Sequence, residues 1–255
     1  IAGAEGLIWA GGAHGIAAAA YGTQTVPAVD IIVGPGNRWV TAAKKLVSGQ
    51  VGIDMLAGPS ELVVMADQTA NPKWVAADLL AQAEHDPDAV PILVTTTPEV
   101  VTAVRNELQR QLTDLDTAEI AAHAIKHGAS IVCRDWTEAV EAVNAIGPEH
   151  LEVQHTDPNQ LVPRLRNYGG LFIGSGSAEV LGDYGAGPNH VLPTSGTARY
   201  TGGLSVFDFL RVRTWMEITN SEQAHALYED AETLASMEGL SGHATSARVR
   251  RLNRA

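Results

Sequence analysis

Apolar runs of strand length alternate with longer stretches of helical period through most of this chain. The runs predict strands over 7–10, 29–33, 61–66, 91–96, 129–133, 151–154 and 170–173. The stretches between them predict helices over 12–21, 38–48, 72–85, 98–114, 117–127, 136–146 and 157–166. That alternation implies an α/β fold with a largely parallel sheet, because each parallel crossover needs a helix-length connection. After His190 the pattern changes. Residues 191–203 form a loop rich in Thr, Ser and Gly, and from 204 onward the chain reads as helices without strand partners, over 204–212, 221–237 and 242–252. Ser221 suits the cap of the second of these, with Glu222 favouring its N-terminal dipole. A small all-helical tail of this kind cannot bury its apolar stripe alone, so it is expected to pack on the main body or on another subunit.

Composition narrows the classes. At 255 residues with 45% hydrophobic and 18% charged positions, the chain has the make-up of a globular protein, and no apolar run approaches a membrane span. A net charge of −12, with only short basic clusters at Lys44-Lys45 and near the C-terminus, argues against nucleic acid as a partner. The single cysteine, Cys133, can form no intrachain disulfide and reads as a buried strand thiol in a reducing compartment. Ile1 opens the chain without an initiator methionine or a secretory segment, and the N-terminus reads as a fragment.

The candidate chemistry sits between these elements. Asn71 and Pro72 suit the start of a helix that should stop by Pro87, which places Gln82 and His85 at i,i+3 in its last turn. Polar groups also stand beside Gly and Pro in Gly58-Pro59-Ser60-Glu61, Gly147-Pro148-Glu149-His150, Gly182-Asp183 through Asn189-His190, and Glu238-Gly239-Leu240-Ser241-Gly242-His243. Each has an ordinary reading as a capped turn, a solvated loop or a helix end. The stretch Gly174-Ser175-Gly176-Ser177-Ala178-Glu179 follows a strand, but Glu179 stands where a dinucleotide loop needs its third glycine. The better turn for a dinucleotide is Gly34-Pro35-Gly36-Asn37, between a strand and a helix N-terminus.

Taken in order, these motifs resemble histidinol dehydrogenase, the zinc- and NAD-dependent enzyme that ends histidine biosynthesis. The resemblance runs from the first residues to about Arg250. It is carried above all by Val33-Gly34-Pro35-Gly36-Asn37, the stretch from Gly52 to Glu61, Leu79-Leu80-Ala81-Gln82-Ala83-Glu84-His85-Asp86, Gly147-Pro148-Glu149-His150-Leu151-Glu152, and Ala186-Gly187-Pro188-Asn189-His190. It implies Rossmann-like layers divided into a partial NAD-side domain at 1–59, a main α/β domain at 60–203 and a helical dimerisation tail at 204–255. It implies one Zn2+ per site held by Gln82, His85, Asp183 and His243, a donor set without thiolates that suits a substrate-orienting Lewis acid.

Glu149 and His150 are the implied catalytic pair. His150 takes the alcohol proton and Glu149 helps water attack the resulting aldehyde, so that L-histidinol becomes L-histidine through histidinal with two NAD. Substrate contacts are implied at Ser60, Gln82, His85, His150, Asp183, His190, Glu238 and His243, and cofactor contacts at His14 and Asn37. His14 replaces the glutamine usual in the family. The resemblance further implies a homodimer whose tails complete each other's sites, and a cytoplasmic location, with a plastid location of a longer precursor left open. Competing readings are an NAD-dependent dehydrogenase of another polar alcohol, such as a sulfonated diol, and a non-catalytic dimerising fragment.

Overall fold

The structure is a computed structural model that describes residues 3–220 and 222–252. The chain forms two compact units, Ile1–Leu210 and Arg211–Ala255. In the first, α1 (Gly12–Tyr21), β1 (Ile31–Ile32), α2 (Arg38–Val47) and β2 (Gly52–Ile53) come first, and β1 pairs with β2 in parallel. There follow β3 (Glu61–Ala66), α3 (Pro72–Ala83), β4 (Val90–Thr95), α4 (Pro98–Leu112), α5 (Ala118–Ala124), β5 (Ala129–Val132), α6 (Trp136–Ile146), β6 (His150–Gln154), β7 (Gly170–Ile173) and the short α7 (Val180–Asp183). The five later strands form one sheet in the order β5-β4-β3-β6-β7, every neighbouring pair parallel. The α/β class with a parallel sheet is therefore observed.

Alternation along β3 explains the layers. Leu62, Val64 and Ala66 pack with Val75 and Leu79 of α3 and Val104 of α4, whereas Val63 and Met65 pack with Val140 and Val143 of α6. Strand β6 breaks this symmetry. Leu151 and Val153 join the α6 side, but His150, Glu152 and Gln154 point to the other face and are nonetheless buried. Their partners are polar residues of α3: Gln154 donates to Asp78 at 3.1 Å, and His150 meets Gln82. Residues 78 and 82 share one helix face, as 150, 152 and 154 share one strand face.

Several expectations need correction. Residues 7–10 form no strand; Leu7 is 86% and Trp9 96% exposed, and no strand among the described residues pairs with them. The helix expected over 157–166 is two 3-10 turns, Pro158–Gln160 and Val162–Arg164. Pro163 removes a donor there and disfavours the helical conformation at Val162. Residues 204–212 hold one 3-10 turn, Val206–Phe209, closed by reciprocal bonds between Ser205 and Asp208. Phe207, Phe209 and Leu210 are exposed, so a longer helix would lack an apolar face to pack. Strand β2 and helix α7 were not expected.

The second unit contains α8 (His225–Met237) and α9 (Ser241–Leu252), so among the described residues the tail has two α-helices rather than the expected three. They are linked by ion pairs from Arg248 and Arg251 to Glu232. Ser221, the expected cap, lies outside the described residues; the Asn220 side chain accepts from the amides of Glu222 and Gln223. No helix among the described residues is long and apolar enough to cross a membrane.

Candidate functional site

Parallel strands joined through helices bring helix C-termini to the edge where strands begin. Thus α3 ends shortly before β4, and α6 ends shortly before β6, while register pairs Leu62 with His150 and His150 with Gly170. Helix C-termini carry partial negative charge, so this edge of the sheet favours cations. Asn71 caps α3 by accepting from Lys73, and Pro72 occupies its first turn. The helix ends at Ala83, two residues sooner than expected, but His85 N still donates to Gln82 O at 3.3 Å and keeps the two residues one turn apart. Helix α6 ends on Gly147 in the left-handed region at φ 61°, a conformation suited to glycine, and Pro148 then leads into Glu149.

His150 is the first residue of β6, and it is buried among polar groups. Its Nδ1 lies 3.2 Å from Gln82 Oε1 and 3.8 Å from Glu149 Oε2, while its Nε2 lies 3.5 Å from Glu179 Oε1. Glu149 Oε2 accepts from the Glu61 amide at 3.0 Å, and Glu61 Oε1 accepts from the Ser195 amide at 2.9 Å. One side-chain donor atom each from His150, Glu179 and Asp183 lies within 4.8 Å of the others.

Burial and mutual repulsion set the protonation of this cluster. Burial holds the His150 imidazole down at about 4 against the upward pull of the Asp183 charge, so the ring is neutral at neutral pH with one nitrogen free of a proton. Burial also pushes Glu149 up to about 8, helped by the charges of Glu61, Glu179 and Asp183. Glu179 is raised to about 7 by burial and by the charges of Asp183 and Asp78. Several carboxyl groups thus share one neighbourhood, and no Lys or Arg among the described residues is among the charges that set their protonation. A divalent cation would relieve that repulsion. The amide oxygen of Gln82, the Asp183 carboxylate and the imidazole of His85 are donor types of a hard to borderline kind, whose chemistry suits zinc.

Two cavities open here. One of about 920 Å³ is lined by the turn 34–37, Ser60, His85 and Glu149. The other, of about 250 Å³, is lined by His150, Asp183 and His190. In the larger cavity, the 34–37 turn sits at the N-terminus of α2, with Gly34 at φ 112° and open space where a side chain would stand. The partial positive charge and accessible backbone suit a dinucleotide phosphate. Asn37 caps α2 by accepting from Trp39 and Val40. His14 is exposed on α1, in its first turn. Glu238 and His243 belong to the second unit, either side of the turn between α8 and α9, and both are exposed. Sequence reasoning missed Glu61 and Glu179. The first closes the loop around Glu149; the second was weighed only as a misfit in a glycine-rich loop. The signal that could have found Glu179 is its spacing, one helical turn before Asp183.

Fold and site define an α/β protein with a buried acid–base centre at the starting edge of its sheet, flanked by groups able to hold a cation. The family model for histidinol dehydrogenase matches residues 1–251, and the chain belongs to that family. It is 51% identical over 251 residues to histidinol dehydrogenase of Thermus thermophilus, covering 98% of this chain and 61% of that protein. It is 53% identical over 245 residues to that of Desulfotalea psychrophila, covering 94% and 56%. The crystal structure of histidinol dehydrogenase from Elizabethkingia anophelis superposes with a TM-score of 0.87 at 38% identity, over 94% of this chain and 56% of that one. The chain thus spans 56–61% of the length of these relatives.

Proposed function

We propose that this chain carries the metal and acid–base portion of an enzyme that oxidises L-histidinol to L-histidine in two steps. The observation that supports it best is the neutral, buried His150 set between Gln82, Glu149 and Glu179. Gln82, His85, Asp183 and His243 would hold zinc, which would supply a Lewis acid for the substrate's amine and hydroxyl, and the 34–37 turn and His14 would hold NAD as the hydride acceptor. His150 takes the hydroxyl proton as the carbinol carbon loses its first hydride, leaving an aldehyde. Glu149 orients a water for attack on that aldehyde, and His150 takes a proton from the hydrate as the second hydride leaves. Ser60, His190 and Glu238 hold the imidazole and amine ends of the substrate. His243 and Glu238 come from a second copy of the chain, so that the homodimer shares its sites. The test is NADH formation from L-histidinol by the full-length gene product, with release of about two NADH per substrate. No NADH from histidinol, or NADH from a sulfonated diol instead, would overturn the assignment.

A further inference from the structure

The mechanism leaves unused a buried ion pair, Lys44 with Asp54. Lys44 stands near the end of α2 with its charge turned inward, where Nζ donates to Asp54 Oδ1 and to the carbonyl of Gly34 at 2.9 Å. Asp54 in turn accepts the Gly34 amide on Oδ2 at 2.7 Å and the Met55 amide on Oδ1 at 2.6 Å. Both backbone polar groups of Gly34 are therefore held by one pair. Gly34 sits at φ 112°, which gives the turn little intrinsic preference for this shape. A neighbouring bond, from Thr41 Oγ1 to the Ala57 carbonyl at 2.9 Å, ties α2 to the segment leading to Ser60.

A buried pair of this kind is a costly way to add stability, since desolvation offsets most of the attraction. Its geometric effect is specific. It fixes the turn 34–37 on the wall of the larger cavity, which His85 and Glu149 also line. We propose that Lys44 and Asp54 are positioning residues that preorganise this turn for the dinucleotide; the inference rests on the placement of NAD there. Neither side chain lines the cavity itself. With the pair removed, the turn must be ordered on binding, and affinity falls.

The test uses the full-length protein with NADH as the probe. Lys44→Met leaves Asp54 buried without its partner, so the double variant Lys44→Met/Asp54→Asn is made beside it to remove both charges while keeping an acceptor for Gly34. Binding is read by NADH fluorescence, and amide hydrogen exchange follows residues 34–37. In the folded double variant, the NADH dissociation constant is expected to rise by about tenfold or more, with faster exchange at 34–37 and unchanged zinc content and histidinol binding. A folded double variant that binds NADH within about twofold of the unsubstituted protein overturns the proposal. If NADH fails to protect residues 34–37 in the unsubstituted protein, the placement of NAD is itself wrong, and the proposal falls with it.

Discussion

Glu179 places Oε1 3.5 Å from Nε2 of His150, while the other ring nitrogen faces Gln82. If His150 is the proposed base, a carboxylate in that place orients its ring and stabilises the imidazolium. Glu179→Gln keeps an acceptor but removes the charge. It is expected to lower kcat for histidinol by about tenfold or more, with little change in KM or zinc content. A raised KM at unchanged kcat would instead make Glu179 a substrate contact.

In the proposed mechanism the neighbours Glu149 and His150 have separable tasks. His150→Asn is expected to reduce alcohol oxidation by about a thousandfold while sparing zinc and the dimer. Glu149→Gln should spare that step and slow oxidation of the aldehyde. Offering histidinal and histidinol separately to both variants resolves the two steps. Equal losses in both half-reactions of Glu149→Gln would remove its role in orienting water.

The strands at 61–66 and 170–173 and the helices at 12–21 and 136–146 were legible to the residue, because each is an apolar pattern bounded by turn residues. Residues 7–10 have equally apolar composition, yet hydrophobicity does not say whether a partner strand is at hand. Over 157–166, local propensity lost to one proline. The motifs singled out Gln82, Glu149 and His150, which the fold brings together. Asp78 and Glu152 were not legible as site neighbours, because only the packing of α3 on the face of β6 brings their side chains together; Glu179 reaches His150 from the start of α7, which no apolar pattern announced.

On that face Glu152 is buried beside Asp78 and Gln154. Burial, then the nearby Asp78 charge, pushes its pKa well above the ordinary 4.5. Folding therefore takes up a proton over the range above the unfolded value, and stability falls as pH rises from about 4.5 upward. Glu152→Gln removes that dependence. Thermal unfolding between about pH 5 and 9 should show the variant gaining on the parent as pH rises; parallel curves would mean that Glu152 ionises freely in the fold.

Asp67 shows the opposite sign at the far ends of β3 and β6. Burial raises its pKa, but amide and hydroxyl donors from Thr69 and Thr156 outweigh burial and bring it to about 2. Its contribution is complete above the unfolded value of 3.8 and disappears as pH falls toward 2. Asp67→Asn is expected to cost about 2 kcal/mol at neutral pH, and far less in acid. Urea denaturation at neutral pH and near pH 3 measures the difference. A penalty independent of pH would place its origin in packing, not charge.

The proposed sharing of sites between two copies makes the strongest demand on the whole protein. Gln82, His85 and Asp183 lie in the first unit, and Glu238 and His243 lie on a two-helix unit whose large apolar side chains Leu234 and Met237 are exposed. So small a unit has little core of its own, and burial against a second copy would cover that surface. His85→Ala and His243→Ala should each inactivate the full-length enzyme by removing a metal ligand. Mixed after reversible dissociation, the two chains form a heterodimer in which one site has both substitutions and the other has neither. Activity should then return to about a quarter of the unsubstituted level, since half of the dimers are mixed and each holds one intact site. Heterodimers verified by native mass spectrometry that remain inactive would show that each chain supplies its own His243.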